Sequence, residues 1–155
     1  MDFQFRTIQD REDLVRLIGF IREQSQGYSN YQDWVSRTEA EIDMGYKTGI
    51  IALNCNHVVG DIIWQPHKEL PRIREIKNMR VHPSVRGRYF ARFFMKQAEA
   101  ENPGDYDELM LDLREDHPDK IPLMRMLTSM GYEKIFAASL YDSNVKDIVM
   151  VKKVA

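Results

Sequence analysis

The stretch Met79-Arg80-Val81-His82-Pro83-Ser84-Val85-Arg86-Gly87-Arg88-Tyr89-Phe90-Ala91-Arg92-Phe93-Phe94 constrains the folds open to this chain more than any other. A β-branched strand end stops at Pro83, a basic loop with one glycine follows, and aromatic residues at helical spacing then open a helix. The first turn of such a helix exposes unpaired N–H groups and the positive end of the backbone dipole, so it favours an anion. Gly87 permits close backbone approach, and Arg86, Arg88 and Arg92 add charge suited to phosphate oxygens.

The rest of the chain alternates between the two periodicities. Phe3 to Ile8 reads as a strand, and Asp10 as the N-cap of a helix carrying Leu14, Leu17, Ile18 and Ile21. A second helix opens near Ser29 or Asn30, carries Trp34, Val35, Thr38 and Ile42, and stops at Gly45. Strands over Gly49–Leu53 and Val58–Gln65 flank a hairpin turn, and Arg72–Val81 is a longer strand. The helix after the basic loop presents Phe90, Phe93, Phe94 and Ala98 to a core and breaks at Asn102-Pro103-Gly104. A strand over Leu109–Leu113, a helix over Ile121–Met130 and a final strand pair over Tyr132–Leu140 and Val145–Lys153 complete an α/β chain with a mixed central sheet of about seven strands and about four helices. With 155 residues and no repeat or linker, residues 1–155 are expected to form a single domain.

Bulk charge argues for no polymeric partner, because 22 basic and 24 acidic side chains leave a formal charge of −2. The distribution is uneven: eight Lys or Arg and only Glu75 as an acid lie between Arg72 and Lys96, whereas nine acids against Arg114 alone lie between Gln97 and Asp119. The basic half coincides with the strand–loop–helix junction, which strengthens the expectation of a bound anion. The lone Cys55 excludes an internal disulfide, and its strand-like setting predicts a buried, inert thiol. No His/Cys/Asp spacing suggests a metal. The opening MDFQFRTIQD lacks the pattern of a signal peptide and no apolar run is long enough for a membrane helix, so a cytoplasmic location without membrane contact is expected.

Met79-Arg80-Val81-His82-Pro83 followed by Arg86-Gly87-Arg88-Tyr89-Phe90-Ala91 resembles the GNAT superfamily of N-acetyltransferases, in which an apolar-x-V-H-P strand end precedes R-x-x-G-x-G/A and a helix. His57-Val58-Val59-Gly60-Asp61-Ile62-Ile63 resembles the V-G-x-I hairpin strand of that family, and Met126 to Glu133 its second cofactor segment. The resemblance runs from Phe3 to Lys153. It implies acetyl-CoA as cosubstrate and no metal. It also implies that Arg86, Gly87, Arg88, Tyr89, Phe90 and Ala91 wrap the pyrophosphate, and that backbone at Met79, Arg80 and Val81, with Lys120, holds the pantetheine arm. Tyr89 stands at the first glycine of G-x-G/A, Leu127 where many members carry a proton-donating tyrosine, and Lys120 where an asparagine is common.

The implied chemistry is direct attack of a primary amine on the thioester, with no nucleophile motif for an acyl-enzyme. Glu75, four residues before Met79, is the candidate base, worth roughly 10²- to 10⁴-fold, and pairing with Arg72, Arg74 or Lys77 is the competing expectation. Tyr141 is the candidate acid and Tyr132 a second, while His82 reads as structural and Asp116-His117 as a loop pair with the composition of a proton shuttle. The acceptor is expected across Gln24–Tyr31 and Tyr141–Asp147, where Tyr28, Tyr31, Tyr141, Asp142 and Asp147 suit a cationic amine on a small molecule or protein. Two other readings stay open. Tyr89 and Leu127 favour a non-catalytic module of the same fold that binds acyl-CoA or a protein partner, and the Arg72–Lys96 surface admits a nucleic-acid binder with steep salt dependence. Trp64 or the Phe-rich helix offers a surface for a homodimer.

Overall fold

The computed structural model describes residues 2–24, 30–141 and 144–154. Its elements run β1 (Phe3–Thr7), α1 (Arg11–Arg22), α2 (Tyr31–Asp43), β2 (Thr48–Asn54), β3 (His57–Pro66), β4 (Ile73–Val81), α3 (Phe90–Ala100), β5 (Glu108–Arg114), α4 (Lys120–Ser129), β6 (Glu133–Ala138) and β7 (Asp147–Lys153). The strands hydrogen-bond as one mixed sheet in the order β1-β2-β3-β4-β5-β7-β6. Packing divides the chain into two compact units, Met1–Gln65 with Lys77–Ala98, and Pro66–Ile76 with Glu99–Ala155.

In the first unit, β1 to β3 form an antiparallel meander, with Phe3 opposite Asn54 and Thr48 opposite Trp64. The β2–β3 turn carries Cys55 and Asn56 at φ 50° and 66°, the paired positive angles of a tight hairpin whose twist matches its strands. Cys55 is therefore exposed at the tip, and the expected buried thiol is corrected: the turn claims the residue before the strand can. Asp10 caps α1 by accepting from the Asp13 amide at 2.8 Å. The helical stripe Leu14, Leu17, Ile18 and Ile21 packs with Val35, Ile42, Ile51, Leu53 and Ile63 into one core. Trp64 is only 3 % exposed, so it is buried within the chain and offers no dimer surface.

On α3, Phe90, Phe94 and Ala98 are buried as their spacing predicts, but Phe93 is 37 % exposed. It lies on the flank of the apolar stripe, tilted against Phe5 with ring centres 4.4 Å apart. Gly60 on β3 explains the close seat of this helix. A Cβ there would stand 3.0 Å from both the Arg80 carbonyl oxygen and the Phe94 ring, so only glycine lets strand, strand and aromatic meet.

In the second unit, the parallel ladder of β4 and β5 runs from Ile73 opposite Glu108 to Glu75 opposite Met110. β7 pairs antiparallel with β5 along its length and with β6 on its other side. Tyr132 is almost wholly buried and donates to Glu99 at 2.8 Å, and Lys152 Nζ reaches the same carboxylate at 3.0 and 3.1 Å. Arg72 forms a two-pronged pair with Asp107 at 2.8 and 2.9 Å on the surface.

Candidate functional site

The first unit carries the loop expected to bind an anion. Pro83–Val85 forms a single turn of 3-10 helix, capped by His82, whose Nδ1 accepts from the Ser84 amide at 3.2 Å and lies 2.7 Å from Ser84 Oγ. This is the structural role expected of His82. The chain then passes Arg86 and reaches Gly87 at φ 77° and Tyr89 at φ 63°, two left-handed residues in three. Alternation of this kind turns backbone N–H groups toward one concavity, and glycine is its normal occupant. Tyr89 holds a backbone conformation that glycine usually occupies, at a cost of about 1–2 kcal/mol. Its ring is 80 % exposed, so the side chain pays little attention to the packing around it.

Tyr89 also starts the helix, because its carbonyl accepts from the Phe93 amide at 3.0 Å. The preceding amides, of Phe90, Ala91 and Arg92, belong to the helix's first turn and have no intrahelical acceptor. Arg86 reaches back with its Nε 3.4 Å from the Val81 carbonyl, tying the loop to the end of β4. Arg88 lies over the Phe3 ring at 5.9 Å. Arg86, Gly87 and Arg88 are exposed, Phe90 is buried, and Met79, Arg80, Val81 and Ala91 are half-buried. The residues therefore fit a pyrophosphate: left-handed loop backbone, exposed arginines and the first turn of an 11-residue helix.

Beneath β4 lies a buried polar group that the sequence reading passed over. Asp61 on β3 is 0 % exposed, and its Oδ2 accepts from Asn78 Nδ2 at 2.8 Å. Burial pushes the Asp61 carboxyl up to about 7, against the hydrogen bond from Asn78 and the charge of Arg80. Tyr31, at the start of α2, donates to the Ile21 carbonyl. Burial pushes its phenol up to about 12, with Arg80 opposing and Asp61 adding to the rise. The signal in the sequence was a lone carboxylate inside the apolar run Val58 to Trp64.

The second unit carries the candidate acid–base groups. Glu75 is half-buried on β4. Of its expected partners, Arg72 pairs with Asp107, and Arg74 donates to the Glu101 carbonyl and lies 4.0 Å over the Tyr106 ring. Tyr141 donates to Asp112 Oδ1 at 3.2 Å. Its phenol is held well above the ordinary range, first by loss of solvent at the hydroxyl and then by the carboxylates of Asp112, Glu75 and Asp147. Glu75, Asp112, Asp147 and Tyr141 thus form one electrostatic group.

Tyr132 cannot share the proton-donor role expected for it, because its phenol is buried and raised by desolvation and by Glu99. Asp116 is engaged by Arg114 at 2.9 and 3.0 Å, and His117 Nδ1 accepts from the Asp119 amide at 3.0 Å. That pair is a turn, as the loop reading predicts. Leu127 is interior at 1 % exposure. Lys120 is the half-buried first residue of α4. Tyr28 and Asp142, expected at the acceptor, lie outside the described residues. Among the described residues no cluster of His, Cys, Asp or Glu could hold a metal, and no helix is long and apolar enough to cross a membrane.

No protein-family model matches the sequence, and no curated protein matches it. Solved structures do. A GNAT-family protein from Desulfovibrio desulfuricans superposes with a TM-score of 0.80 at 13 % identity, over 99 % of this chain and 100 % of that one. The ribosomal-protein-S18-alanine N-acetyltransferase of Escherichia coli gives 0.73 at 13 % identity, over 99 % and 95 % of the two chains. The PaiA N-acetyltransferase of Thermoplasma acidophilum, solved with coenzyme A, gives 0.69 at 15 % identity, over 99 % of each. The mixed seven-stranded sheet, its four helices and these superpositions give the chain the GNAT acetyltransferase fold.

Proposed function

We propose that the chain is an acetyl-CoA-dependent N-acetyltransferase that moves the acetyl group to a primary amine by direct attack. The observation that carries this reading is the left-handed backbone of Tyr89. A loop that keeps a glycine's conformation without the glycine is shaped for a function that folding alone does not require. Bound acetyl-CoA supplies an activated acyl carbonyl. Arg86 and Arg88 would neutralise phosphate charge, the amides of the first α3 turn would meet the pyrophosphate, and backbone at Met79–Val81 would hold the pantetheine arm, with Lys120 beside it.

Glu75 would take the proton from the acceptor ammonium, leaving a neutral amine to form the new C–N bond as the C–S bond breaks. The departing thiolate, with a pKa near about 8.5, demands little assistance. Tyr141 keeps its proton in a field of three carboxylates, which supports its holding Asp112 and the acceptor as well as giving a hydrogen bond to the leaving group. Aromatic and acidic groups at Tyr141, Asp112 and Asp147 support a cationic acceptor.

Calorimetric titration with acetyl-CoA, followed by an amine screen for CoA release, tests the reading. Binding should weaken about tenfold in Arg86→Ala and in Arg88→Ala, the loss of one charge-assisted contact each. Absence of binding to the wild-type chain removes the proposal. Glu75→Gln should lower kcat about 10²-fold while leaving acetyl-CoA affinity unchanged, the low end for a general base because an ordered water can relay the proton. Tyr89→Gly should preserve binding and raise stability by up to about 1 kcal/mol in urea melts, the relief of left-handed strain less the entropy of the glycine. A large loss of binding in that variant would instead assign the exposed ring a direct contact.

Leu127 favours a second reading, a module that binds acyl-CoA without turnover, since a buried leucine stands where the resemblance implies a proton-donating tyrosine. Tight binding with no CoA release from any amine tested would select it.

A further inference from the structure

β6 ends at Ala138 and Tyr141 follows it closely, yet the Tyr141 hydroxyl meets Asp112 on β5. In the sheet order β7 stands between those two strands. Two strand spacings are roughly 9–10 Å, more than a tyrosine side chain spans. The backbone after β6 must therefore lean across β7 before Tyr141 can donate to Asp112 Oδ1 at 3.2 Å.

A side chain of β7 holds it there. Asp147 opens that strand and stands in register with Ala138 of β6 and Arg114 of β5. Its Oδ2 accepts from the Leu140 amide at 3.3 Å, which ties the residue before Tyr141 onto β7. At the other end of the same connection, the Lys146 carbonyl accepts from the Glu115 amide at 2.9 Å. Asp147 is 2 % exposed and runs into buried Ile148, Val149 and Met150, so a carboxylate occupies a core position. Leu140 is 45 % exposed, where water serves an amide well. Satisfying that amide does not require a buried carboxylate, and burying one is costly. The consequence of the bond is geometrical: it fixes where the chain leaves β6.

We propose that Asp147 is a positioning residue: by holding the Leu140 amide it draws the chain across β7 and sets the Tyr141 hydroxyl against Asp112. Buried as it is, Asp147 acts through Tyr141 and not by contact with an acceptor. The consequence for turnover rests on the acetyltransferase reading of Tyr141, whereas the positioning itself does not.

Tyrosine ¹³Cζ NMR reads the positioning, with the Tyr141 signal identified by its loss in Tyr141→Phe. In the wild type this phenol should stay protonated while exposed tyrosines ionise near about pH 10, because it is desolvated beside Asp112, Glu75 and Asp147. Asp147→Ala removes the acceptor, and the signal should then titrate with the exposed tyrosines. Asp147→Asn removes the charge but keeps an acceptor oxygen for Leu140, and the signal should behave as in the wild type. Leu140→Pro deletes the donor from an exposed position and should reproduce Asp147→Ala, which covers the case of a buried alanine that fails to fold. Turnover of acetyl-CoA with butylamine as the probe reads the consequence. Asp147→Ala should lower kcat about tenfold, Tyr141→Phe by about the same, and the double variant no further. The proposal is overturned by a Tyr141 signal unmoved in Asp147→Ala and Leu140→Pro, by an Asp147→Asn variant that behaves as Asp147→Ala does, or by kcat losses that multiply. Failure of the wild type to turn over butylamine bears on the acetyltransferase reading alone, and the NMR arms then decide the positioning.

Discussion

Asp61→Asn is expected to stabilise the protein, by up to roughly 4 kcal/mol at pH 8, and to do so with a defined pH dependence. The carboxyl group is raised from 3.8 to about 7 in the folded chain. Below about pH 4 both folded and unfolded chains hold the proton, and the substitution changes little. Between about pH 4 and 7 the unfolded chain releases the proton while the folded chain keeps it, so wild-type stability falls as pH rises. Above about pH 7 both are ionised and the penalty is constant. An asparagine avoids that loss and retains the acceptor for Asn78, although Arg80 loses a countercharge, so the full difference is an upper bound. Urea denaturation of both proteins at pH 4, 5.5, 7 and 8 checks this. Curves that run parallel across the series would show that Asp61 titrates as an ordinary carboxylate.

Phe94→Ala should act in the opposite direction, costing about 3–5 kcal/mol. The ring is 0 % exposed, meets Phe5 edge-on at 5.9 Å and fills the space over Gly60. Gly60→Ala alone should cost about 1–3 kcal/mol by overpacking, because its new methyl would sit 3.0 Å from that ring and from the Arg80 carbonyl. Combined, the two losses should fall short of their sum, since truncating the ring makes room for the methyl. They should not cancel, because the Arg80 carbonyl remains where it was. A double-mutant cycle in urea reads both statements, and strict additivity would mean that Phe94 and Gly60 do not share the contact.

Much of the fold was legible because its signals are local. Asp10 announces a cap, Leu14 to Ile21 a helical stripe, Asn102-Pro103-Gly104 a break, and each stands where its spacing put it. Cys55 and Phe93 departed from expectation for reasons that periodicity does not carry: a two-residue turn fixed by paired positive φ angles, and a flank position on a crowded helix. The arginines and glycine of the loop after β4 were readable as a candidate anion site, and the proposal keeps them so. Whether Tyr89 would distort the loop or conform to it was not readable, because a letter does not state a dihedral angle. Asp61 was hidden for another reason. Its partner Asn78 lies 17 residues away on another strand, and only the paired strands reveal that the carboxylate faces a neighbour instead of water. The contacts of Arg72 and Arg74 were hidden likewise, since Asp107 and Tyr106 come from beyond α3.

The β2–β3 turn has a practical consequence. It presents the only sulfhydryl in the sequence at a surface tip, on a residue whose neighbours Asn54 and His57 close the hairpin. A maleimide dye would attach at one known point without any residue being engineered in or out. Fluorescence anisotropy of that dye then follows unfolding of the first unit directly.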